Sequence, residues 1–378
     1  MDAPILFHKP YMTGNEIPYM LKVIQSGKLN GDGIFSQSCH EFLEKRFRAS
    51  KVLLTTSCTA ALEMAAILLD IQLGDEIILP PFTFVSSANA FLLRGAKPVF
   101  VDIRPDTLNI DETRIESAVT AKTKAIVPVH YAGISAEMDA IRQIAQKHQL
   151  KVVEDAAQGV NAQYKNRFLG TIGDIGAYSF HATKNVTCGE GGAIVLNDEQ
   201  YCERAEILWE KGTNRKKFLR GEIDQYTWVD MGSSFLIADL LAAFLFAQLE
   251  QMEEIISKRK KIYEAYAEAL RPLEKKGIIR LPVIPSACTP NYHTFYILLE
   301  TGERRNWLIQ KLQEKKIFST FHFIPLHTSP YGKKFGYREG DFPVSESLSK
   351  RLLRLPFHLG LTPKEQEKVI EEIYDCLG

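Results

Sequence analysis

An acidic pair and a lysine each follow an apolar run in the middle of this sequence. The run that ends at Val153 is followed by Glu154 and Asp155, and a second run, from 177 to 180, is followed by Lys184. Side chains that follow parallel strands meet at the carboxyl edge of an open α/β sheet, where such sheets bind ligands. The spacing therefore predicts that Asp155 and Lys184 lie together at that edge.

A lysine and a carboxylate in one site suit the chemistry of pyridoxal 5′-phosphate (PLP). The lysine amine forms a Schiff base with the aldehyde, and the acid faces the pyridine nitrogen. An ionised carboxylate keeps that nitrogen protonated, so the ring accepts the electrons released when a substrate Cα–H bond breaks. Lys184 and Asp155 are the candidates for these roles. Each residue alone has a plainer interpretation, because most lysines are solvated and an aspartate after a strand often forms a turn or cap.

A turn of small polar residues offers a second part of the same site. Residues 52–56 have the pattern of a strand, Ser57, Cys58 and Thr59 form a turn, and residues 60–69 place apolar side chains at helical spacing. Free backbone N–H groups and the helix dipole favour an anion at such a helix N-terminus. An ordinary N-cap is the commoner outcome, so the residues alone leave a phosphate site open.

The elements that position these residues alternate between short apolar runs and helical patterns. This alternation predicts a parallel, doubly wound α/β sheet. The predicted strands begin at Val52, Ile77, Val99, Ile126, Val152, Ala177 and Ala193. The predicted helices between and before them cover residues 15–25, 60–69, 82–95 and 135–148.

The C-terminal third has a different pattern. Residues 237–270 have helical spacing without an internal Gly or Pro, and strands are predicted near 294–299 and 318–323. Thr362 is the predicted N-cap of the last helix, with Glu365 completing a capping box. These elements predict a smaller α+β unit after one long helix.

The length of the chain predicts two domains, since 378 residues exceed the size at which one core usually stops growing. We expect a large domain over residues 1–240 and a smaller C-terminal domain over 241–378, linked by the long helix. The segment 1–30 is a candidate to pack against the smaller domain.

The composition argues against several classes of function. Lys plus Arg and Asp plus Glu both number 46, so bulk charge indicates neither a nucleic acid nor a membrane surface as partner. The N-terminus lacks the pattern of a signal peptide, and the six cysteines, without CxxC spacing, are expected to be reduced thiols of a cytoplasmic protein. No Cys/His spacing indicates a metal, and CGEGG (188–192) lacks the GxGxxG of a dinucleotide loop.

The order of several short motifs resembles the DegT/DnrJ/EryC1/StrS sugar aminotransferases, which are PLP enzymes of fold type I. The motifs are SGKLNGDG (26–33), TTSCTAALEMA (55–65), PPFTFVSSANA (80–90), VPVHYAG (127–133), VVEDAAQG (152–159), YSFHATKN (178–185), GEGGAI (189–194), KGTNR (211–215) and FIPLH (323–327). The resemblance runs nearly end to end. It implies a large domain with a mostly parallel seven-stranded sheet, in which one of the last three strands is antiparallel, and a smaller C-terminal α+β domain.

The resemblance also implies roles for single residues around PLP. The matching positions are Thr59, Ala60 and Ser179 for the phosphate, Phe84 for the face of the ring, Gln158 for the ring hydroxyl, Asp155 for the ring nitrogen and Lys184 for the covalent bond. One position departs from the family, because Leu236 stands where many members carry an Asn that reaches the partner's PLP phosphate. That contact is therefore not expected here.

Substrate contacts are implied in three further segments. The candidates are Lys28 and Asn30 in the glycine-rich loop, Arg215 or Arg220 in the basic segment 211–222, and His327. From the residues alone, the loop is a connector, the basic segment is a mobile solvated loop, and isolated histidines such as His322 and His327 are structural. In the family the basic segment reaches a neighbouring subunit, so we expect a homodimer with shared active sites.

The resemblance implies transamination of a nucleotide-linked keto-deoxysugar with L-glutamate as amino donor. The specific reaction expected is conversion of dTDP-4-keto-6-deoxy-D-glucose to dTDP-4-amino-4,6-dideoxy-D-galactose. Alternatives are a 3-keto or a UDP- or GDP-linked sugar, a PLP-dependent sugar dehydratase, a non-catalytic sensor on the same scaffold, and an NAD-dependent oxidoreductase. Lys184 argues against the dehydratase, in which histidine replaces the lysine. The intact set of cofactor residues argues against the sensor.

Overall fold

The computed structural model describes residues 3–378. Its strands are β1 (Lys51–Thr55), β2 (Glu76–Leu79), β3 (Lys97–Phe100), β4 (Thr123–Ile126), β5 (Lys151–Asp155), β6 (Gln163–Tyr164), β7 (Arg167–Phe168), β8 (Ile175–Ser179), β9 (Gly192–Leu196), β10 (Cys288–Thr289), β11 (Tyr296–Leu298) and β12 (Leu352–Arg354). Strands β1 to β5, β8 and β9 correspond to the seven predicted runs.

The helices begin with α1 near the N-terminus and end with α13 at the C-terminus. They are α1 (Glu16–Ser26), α2 (Ile34–Phe47), α3 (Cys58–Leu68), α4 (Ser86–Leu92), α5 (Glu112–Ile115), α6 (Met138–His148), α7 (Cys202–Trp209), α8 (Arg215–Leu219), α9 (Asp239–Glu250), α10 (Met252–Lys275), α11 (Gly302–Glu314), α12 (Pro343–Arg351) and α13 (Pro363–Leu377). Within residues 3–378, no helix combines the length and apolar character needed to cross a bilayer.

A seven-stranded sheet in the order β1-β9-β8-β5-β4-β2-β3 forms the centre of the fold. Strands β8, β5, β4, β2 and β3 are parallel to one another, whereas β9 runs antiparallel to both β1 and β8. The predicted α/β class, the mostly parallel sheet and the late position of the antiparallel strand are confirmed. Ile126 ends β4 instead of beginning it, because the strand starts at the polar residues Thr123 and Lys124 before the apolar run.

Alternate side chains of the sheet enter two cores, one on each face. Leu54 and Val152 pack with α2, α6 and α9, whereas Leu53 and Val153 pack with α3, α4 and α7. Helices thus cover both faces, as a parallel sheet requires. The carboxyl edge of the strands is the part of the sheet that stays available to a ligand.

A further core lies in the C-terminal part, where α10, α11 and α13 pack around β11 and β12. The two strands form an antiparallel pair. Ile5 belongs to this core and pairs with Ile317, so the N-terminal segment contacts this part of the chain. The domain boundary at residue 240 stays a prediction.

Three expectations about local structure were wrong. The helical pattern over 237–270 is divided into α9 and α10 by a turn at Gln251 (φ −106°, ψ 12°). Residues 318–323 form no strand, because Phe318 N donates to Ile5 O and Thr320 N to Arg354 O, and two single partners on different segments build no ladder. The basic segment 211–222 is not all loop, since it contains α8. The capping box of Thr362 and Glu365 at α13 is confirmed.

Candidate active site

A cavity of about 640 Å³ lies between the carboxyl edge of the sheet and the C-terminal part. The predicted residues that line it are Thr59, Phe84, Asp155, Gln158, Ser179 and Lys184. They come from the turn after β1, the segment before α4, the ends of β5 and β8, and the loops that follow. The structure therefore brings together side chains that are up to 125 positions apart in the sequence.

Asp155 is the last residue of β5 and its carboxylate is held at both oxygens. Ser87 Oγ donates to Oδ2 at 2.6 Å, and the backbone N–H of Ala157 donates to Oδ1 at 3.1 Å. These bonds keep the carboxylate at one orientation on the cavity wall. The buried Cys58 thiol nearby has a pKa raised well above its usual value by burial and by Asp155, so it stays protonated.

Lys184 lies in the loop after β8 and its side chain enters the same cavity. Burial lowers the pKa of its amine, and Cys58 and Asp155 partly oppose that shift. A lowered pKa increases the uncharged fraction, which is the nucleophilic form. The loop is fixed on both sides of the lysine, because Lys184 N donates to His181 O at 2.9 Å and Asn185 Nδ2 donates to Asn291 O at 2.7 Å.

The N-terminus of α3 forms the wall that suits an anion. Ser57 caps the helix by accepting from the backbone N–H of Ala60 at 3.0 Å, and Thr59 Oγ1 lies 2.7 Å from Ser86 Oγ. A side chain at Gly192 would place its Cβ 2.4 Å from the backbone of Ser57, so glycine lets β9 approach this turn. Ala60 itself does not line the cavity, and its backbone N–H is used by the cap.

The side chain of Gln158 presents its amide nitrogen to the cavity. Its Oε1 accepts from the backbone N–H of Ala132 at 2.7 Å, so the NH₂ group is the part that remains to donate. The ring of Phe84 is 58% exposed at the cavity, which is unusual for an aromatic side chain and leaves its face available to a flat ligand.

These residues fit PLP as the group that the sequence implied. The helix N-terminus with Ser179 suits a phosphate, the free amide of Gln158 suits a phenolate oxygen, and the fixed carboxylate of Asp155 suits a protonated ring nitrogen. Lys184 supplies the amine for a covalent bond to the aldehyde. Among residues 3–378, no group of three or more His, Cys, Asp or Glu is arranged to hold a metal ion.

Four predicted substrate residues do not line this cavity. Lys28 and Asn30 are exposed, and Arg215 pairs with Glu210, with Nη1 and Oε1 3.0 Å apart. His327 is fully buried, and its Nε2 lies 2.9 Å from Glu346 Oε1. The expected substrate contact of His327 is therefore not available in this structure, because its side chain packs inside the fold.

The glycine-rich loop and the basic segment nevertheless meet each other. Lys216 Nζ lies 2.6 Å from Asp32 Oδ2, and both side chains are largely buried. Arg220, the alternative to Arg215, pairs with Glu206 and Glu222. The two segments that the resemblance assigned to substrate thus form one continuous structure away from the cavity of their own chain.

Several lining residues were missed by the sequence analysis because they lie in the C-terminal part outside any of its motifs. They are Arg259, His293, His322, Arg354 and Phe357. Phe323, at the start of the FIPLH motif, also lines the cavity. The residues alone indicate a structural role for His322, but it lines the cavity. Its Nδ1 lies 3.1 Å from Tyr131 Oη, and burial lowers its pKa to about 2. The sequence feature that could have identified Arg354 is its position as the polar residue that ends the short apolar run Leu352–Leu353.

Known proteins share this architecture over the whole chain. The model of the DegT/DnrJ/EryC1/StrS aminotransferase family matches residues 10–374. The spore coat polysaccharide biosynthesis protein SpsC of Bacillus subtilis is 36% identical over 380 residues, which cover 97% of this chain and 96% of SpsC. The PLP form of Spr1654 from Streptococcus pneumoniae superposes with a TM-score of 0.92 at 27% identity, covering 99% of this chain and 98% of Spr1654. DesV of S. venezuelae gives 0.87 at 30% identity, covering 95% and 93%.

The chain belongs to the DegT/DnrJ/EryC1/StrS aminotransferase family. It has the fold of these PLP enzymes, and Spr1654 has been solved with PLP and in its PMP form. The protein is a PLP-dependent transaminase.

Proposed function

We propose that this enzyme transfers an amino group from L-glutamate to the keto carbon of a nucleotide-linked deoxysugar. The specific reaction is conversion of dTDP-4-keto-6-deoxy-D-glucose to dTDP-4-amino-4,6-dideoxy-D-galactose, in the cytoplasm and for a cell-surface polysaccharide. The observation that carries the proposal is that Lys184 and the fixed carboxylate of Asp155 line one cavity with the N-terminus of α3. SpsC is named for polysaccharide biosynthesis, and Spr1654 is provisionally described as a sugar aminotransferase.

The residues of the chain divide the work of this reaction. When bound, PLP supplies an electron sink that lowers the barrier to breaking the donor Cα–H bond. The carboxylate of Asp155 would stabilise a positive charge on the ring nitrogen, and Ser87 holds that carboxylate in place. Lys184 would hold the cofactor covalently between turnovers. Once the donor has displaced it, its free amine would take the proton from the donor Cα and pass it to C4′ of the cofactor. The same residues serve both halves of a ping-pong cycle.

We further propose that the active enzyme is a homodimer in which each site uses both chains. Ile17, Leu21 and Ile24 form an exposed apolar row on α1, at the spacing of one helix face. Trp228, next to the basic segment, is 78% exposed. Ile24→Asp should therefore shift the enzyme toward monomer in sedimentation velocity, with Leu73→Asp, at an exposed leucine outside α1, as the control. A dimer unaffected by Ile24→Asp contradicts this assignment of the interface.

The reaction is tested by visible absorption of the PLP-loaded enzyme. Addition of L-glutamate should bleach the band of the lysine-bound cofactor, and dTDP-4-keto-6-deoxy-D-glucose added next should restore it. If glutamate bleaches the band and this sugar does not restore it, but a 3-keto or UDP-linked sugar does, that other sugar is the substrate. A loaded enzyme that glutamate leaves unchanged contradicts the proposed donor reaction and favours a sensor.

A further inference from the structure

Arg354 is the last residue of β12, and its guanidinium group lines the same cavity as Lys184. Its backbone N–H donates to Thr320 O at 2.7 Å and its backbone O accepts from Thr320 N at 3.1 Å. Nη2 donates to Phe321 O at 3.2 Å, and the guanidinium carbon lies 4.7 Å from the centroid of the Phe7 ring. The backbone pair and the two side-chain contacts fix the position of the cation.

The charge of Arg354 has no anionic partner in the described chain. Among residues 3–378, no carboxylate oxygen lies within 4.0 Å of its nitrogens, and its buried Nε has no hydrogen-bond partner. Asp155, the buried acid of the cavity, is already held by other donors. Arg259 also lines the cavity and also has no carboxylate partner among the described residues, but its Nε donates to Tyr292 O at 2.9 Å and its Nη2 to His293 O at 2.5 Å. Backbone carbonyls therefore satisfy donors of Arg259, whereas the Nε of Arg354 stays unsatisfied.

Arg354 is partly buried, and its buried Nε has no partner within the described chain. A cation in this position is costly, so a ligand anion in the cavity stabilises it. Burial lowers the pKa of Arg354 to about 10, and the group is therefore still charged at neutral pH. Two histidines that line the same cavity do not compete for an anion, since burial lowers the pKa of His322 to about 2 and that of His293 well below its usual value. The cavity thus presents a ready site for one negative group.

A carboxylate fits this site better than a phosphate does. The cavity already has a phosphate wall at the N-terminus of α3, whereas a guanidinium fork matches the two oxygens of a carboxylate. In transamination the Cα atom of the amino donor must lie next to the amine of Lys184. The α-carboxylate of the donor is one bond away from that Cα atom. Arg354 is close enough to Lys184 to lower the pKa of the lysine. The diphosphate of a nucleotide sugar is separated from the keto carbon by the sugar ring.

We propose that Arg354 binds the α-carboxylate of the amino donor, and of the 2-oxo acid that leaves, so that it sets the donor class of the enzyme. This inference rests on the proposed transamination. It assigns the donor to 2-amino acids, and it predicts that the amine of a compound without an α-carboxylate is a poor donor.

Three matched amines test the inference on the PLP-loaded enzyme. L-Glutamate carries both carboxylates, L-2-aminobutyrate carries only the α-carboxylate, and 4-aminobutyrate carries only the distal one. In Arg354→Met, the concentrations of L-glutamate and L-2-aminobutyrate that bleach half of the visible band should rise on the order of 100-fold, the loss of a charged bidentate bond. The response to 4-aminobutyrate should not change. Equal loss for all three amines, or an unchanged response to L-glutamate, overturns the proposal.

Arg305→Met is the control for effects on folding. Arg305 also contacts this region, because its Nη1 donates to Leu352 O at 3.1 Å and its guanidinium carbon lies 5.3 Å from the centroid of the Phe321 ring, yet it does not line the cavity. This variant should bind all three amines as the wild type does. Arg354→Lys keeps the positive charge but cannot donate two parallel hydrogen bonds to a carboxylate. Its response to L-glutamate should therefore fall between those of the wild type and Arg354→Met.

Glutarate, a dicarboxylate that cannot react, gives a readout that does not depend on turnover. Calorimetry should show glutarate binding to the PLP-loaded wild type and to Arg305→Met, and binding at least tenfold weaker to Arg354→Met. Unchanged glutarate affinity in Arg354→Met contradicts the proposal. If no keto-sugar is aminated while these differences hold, the sugar assignment falls and the role of Arg354 stands.

Discussion

Ser87 Oγ lies 2.6 Å from Asp155 Oδ2, so the first turn of α4 is tied to the carboxyl end of β5. Thr83 Oγ1 lies 2.7 Å from the same hydroxyl. Because a carboxylate only accepts, the hydroxyl of Ser87 must donate its proton to Asp155, and it therefore accepts from Thr83. This chain of two hydroxyls points a fixed negative charge at the cavity.

Ser87→Ala should weaken the enzyme without removing its cofactor. Asp155 would keep its bond to Ala157 N but lose the one to Oδ2, and a hydrogen bond to a charged group contributes about 1.5–3 kcal/mol. We expect kcat to fall at least about tenfold, with PLP still bound in the visible spectrum. Ser38→Ala, which removes a hydroxyl bonded to Ile34 O on the surface of α2, is the control. Wild-type kcat in Ser87→Ala would show that Asp155 does not depend on this bond.

Lys184→Ala should abolish turnover while PLP still binds through its phosphate and ring contacts. Loss of both the covalent attachment and the proton carrier should lower kcat by about 10³-fold or more. Dialysis against PLP followed by absorption spectroscopy distinguishes noncovalent binding from loss of the fold. Methylamine should restore part of the glutamate half-reaction, because a small amine fits the space that the side chain leaves. Near-normal turnover without added amine contradicts the assignment of Lys184.

The pH dependence of PLP attachment should report the charges around Lys184. Burial lowers the pKa of its amine from the usual 10.5, Asp155 raises it and Arg354 lowers it further. The rate at which the apoprotein binds PLP covalently should therefore rise with pH and level off below 10.5. Asp155→Asn should move this apparent pKa down, and Arg354→Met should move it up. Shifts in the same direction for both variants contradict the arrangement of charges.

The free energy of unfolding of the apoprotein should also depend on the protonation of Lys184. Between the lowered pKa and 10.5 the unfolded chain keeps a proton on Lys184 that the folded chain has released, so this residue makes the free energy of unfolding rise with pH in that window. Lys184→Met should remove that part of the rise in urea titrations. If the free energy of unfolding of Lys184→Met depends on pH as that of the wild type does, burial does not lower the pKa of Lys184 in the folded protein.

The sheet and half of the cavity could be predicted from local sequence. Short apolar runs mark the strands, and a parallel sheet places whatever follows those runs at one edge, so the residues alone placed Asp155 and Lys184 together. Ser179, Phe84 and Gln158 were assigned to the site only by the family resemblance. The ends of the elements were predicted less well. Ile126 was expected to begin β4 but ends it, because an apolar run does not include polar residues such as Lys124 near the start of the strand.

The other half of the cavity depends on packing between distant segments. Arg354 and His322 enter it only because β12 pairs with β11 and the chain at Thr320 crosses to Arg354. No spacing within either segment indicates this contact. His327 shows the opposite error, since its position in a family motif suggested a substrate contact, but Glu346 from α12 holds it inside the fold.

Hybrid dimers test whether the loop around Lys28 and the basic segment serve the partner's site. Asp32 and Lys216 join these two segments away from their own cavity, and we expect Lys28 and Arg215 to contact the nucleotide diphosphate in the other subunit. Lys28→Ala combined with Arg215→Gln should raise the KM for the nucleotide sugar about tenfold or more, with the glutamate half-reaction unchanged.

This double variant is then mixed with Lys184→Ala, and subunits are allowed to exchange. In a hybrid dimer, the chain that retains Lys184 would receive intact loops from its partner, so one site of the two works. Activity at low sugar concentration should rise to about a quarter of the wild-type value, above either parent alone. If each chain's loops served its own cavity, every site in the mixture would stay defective, and no gain on mixing would contradict the shared site.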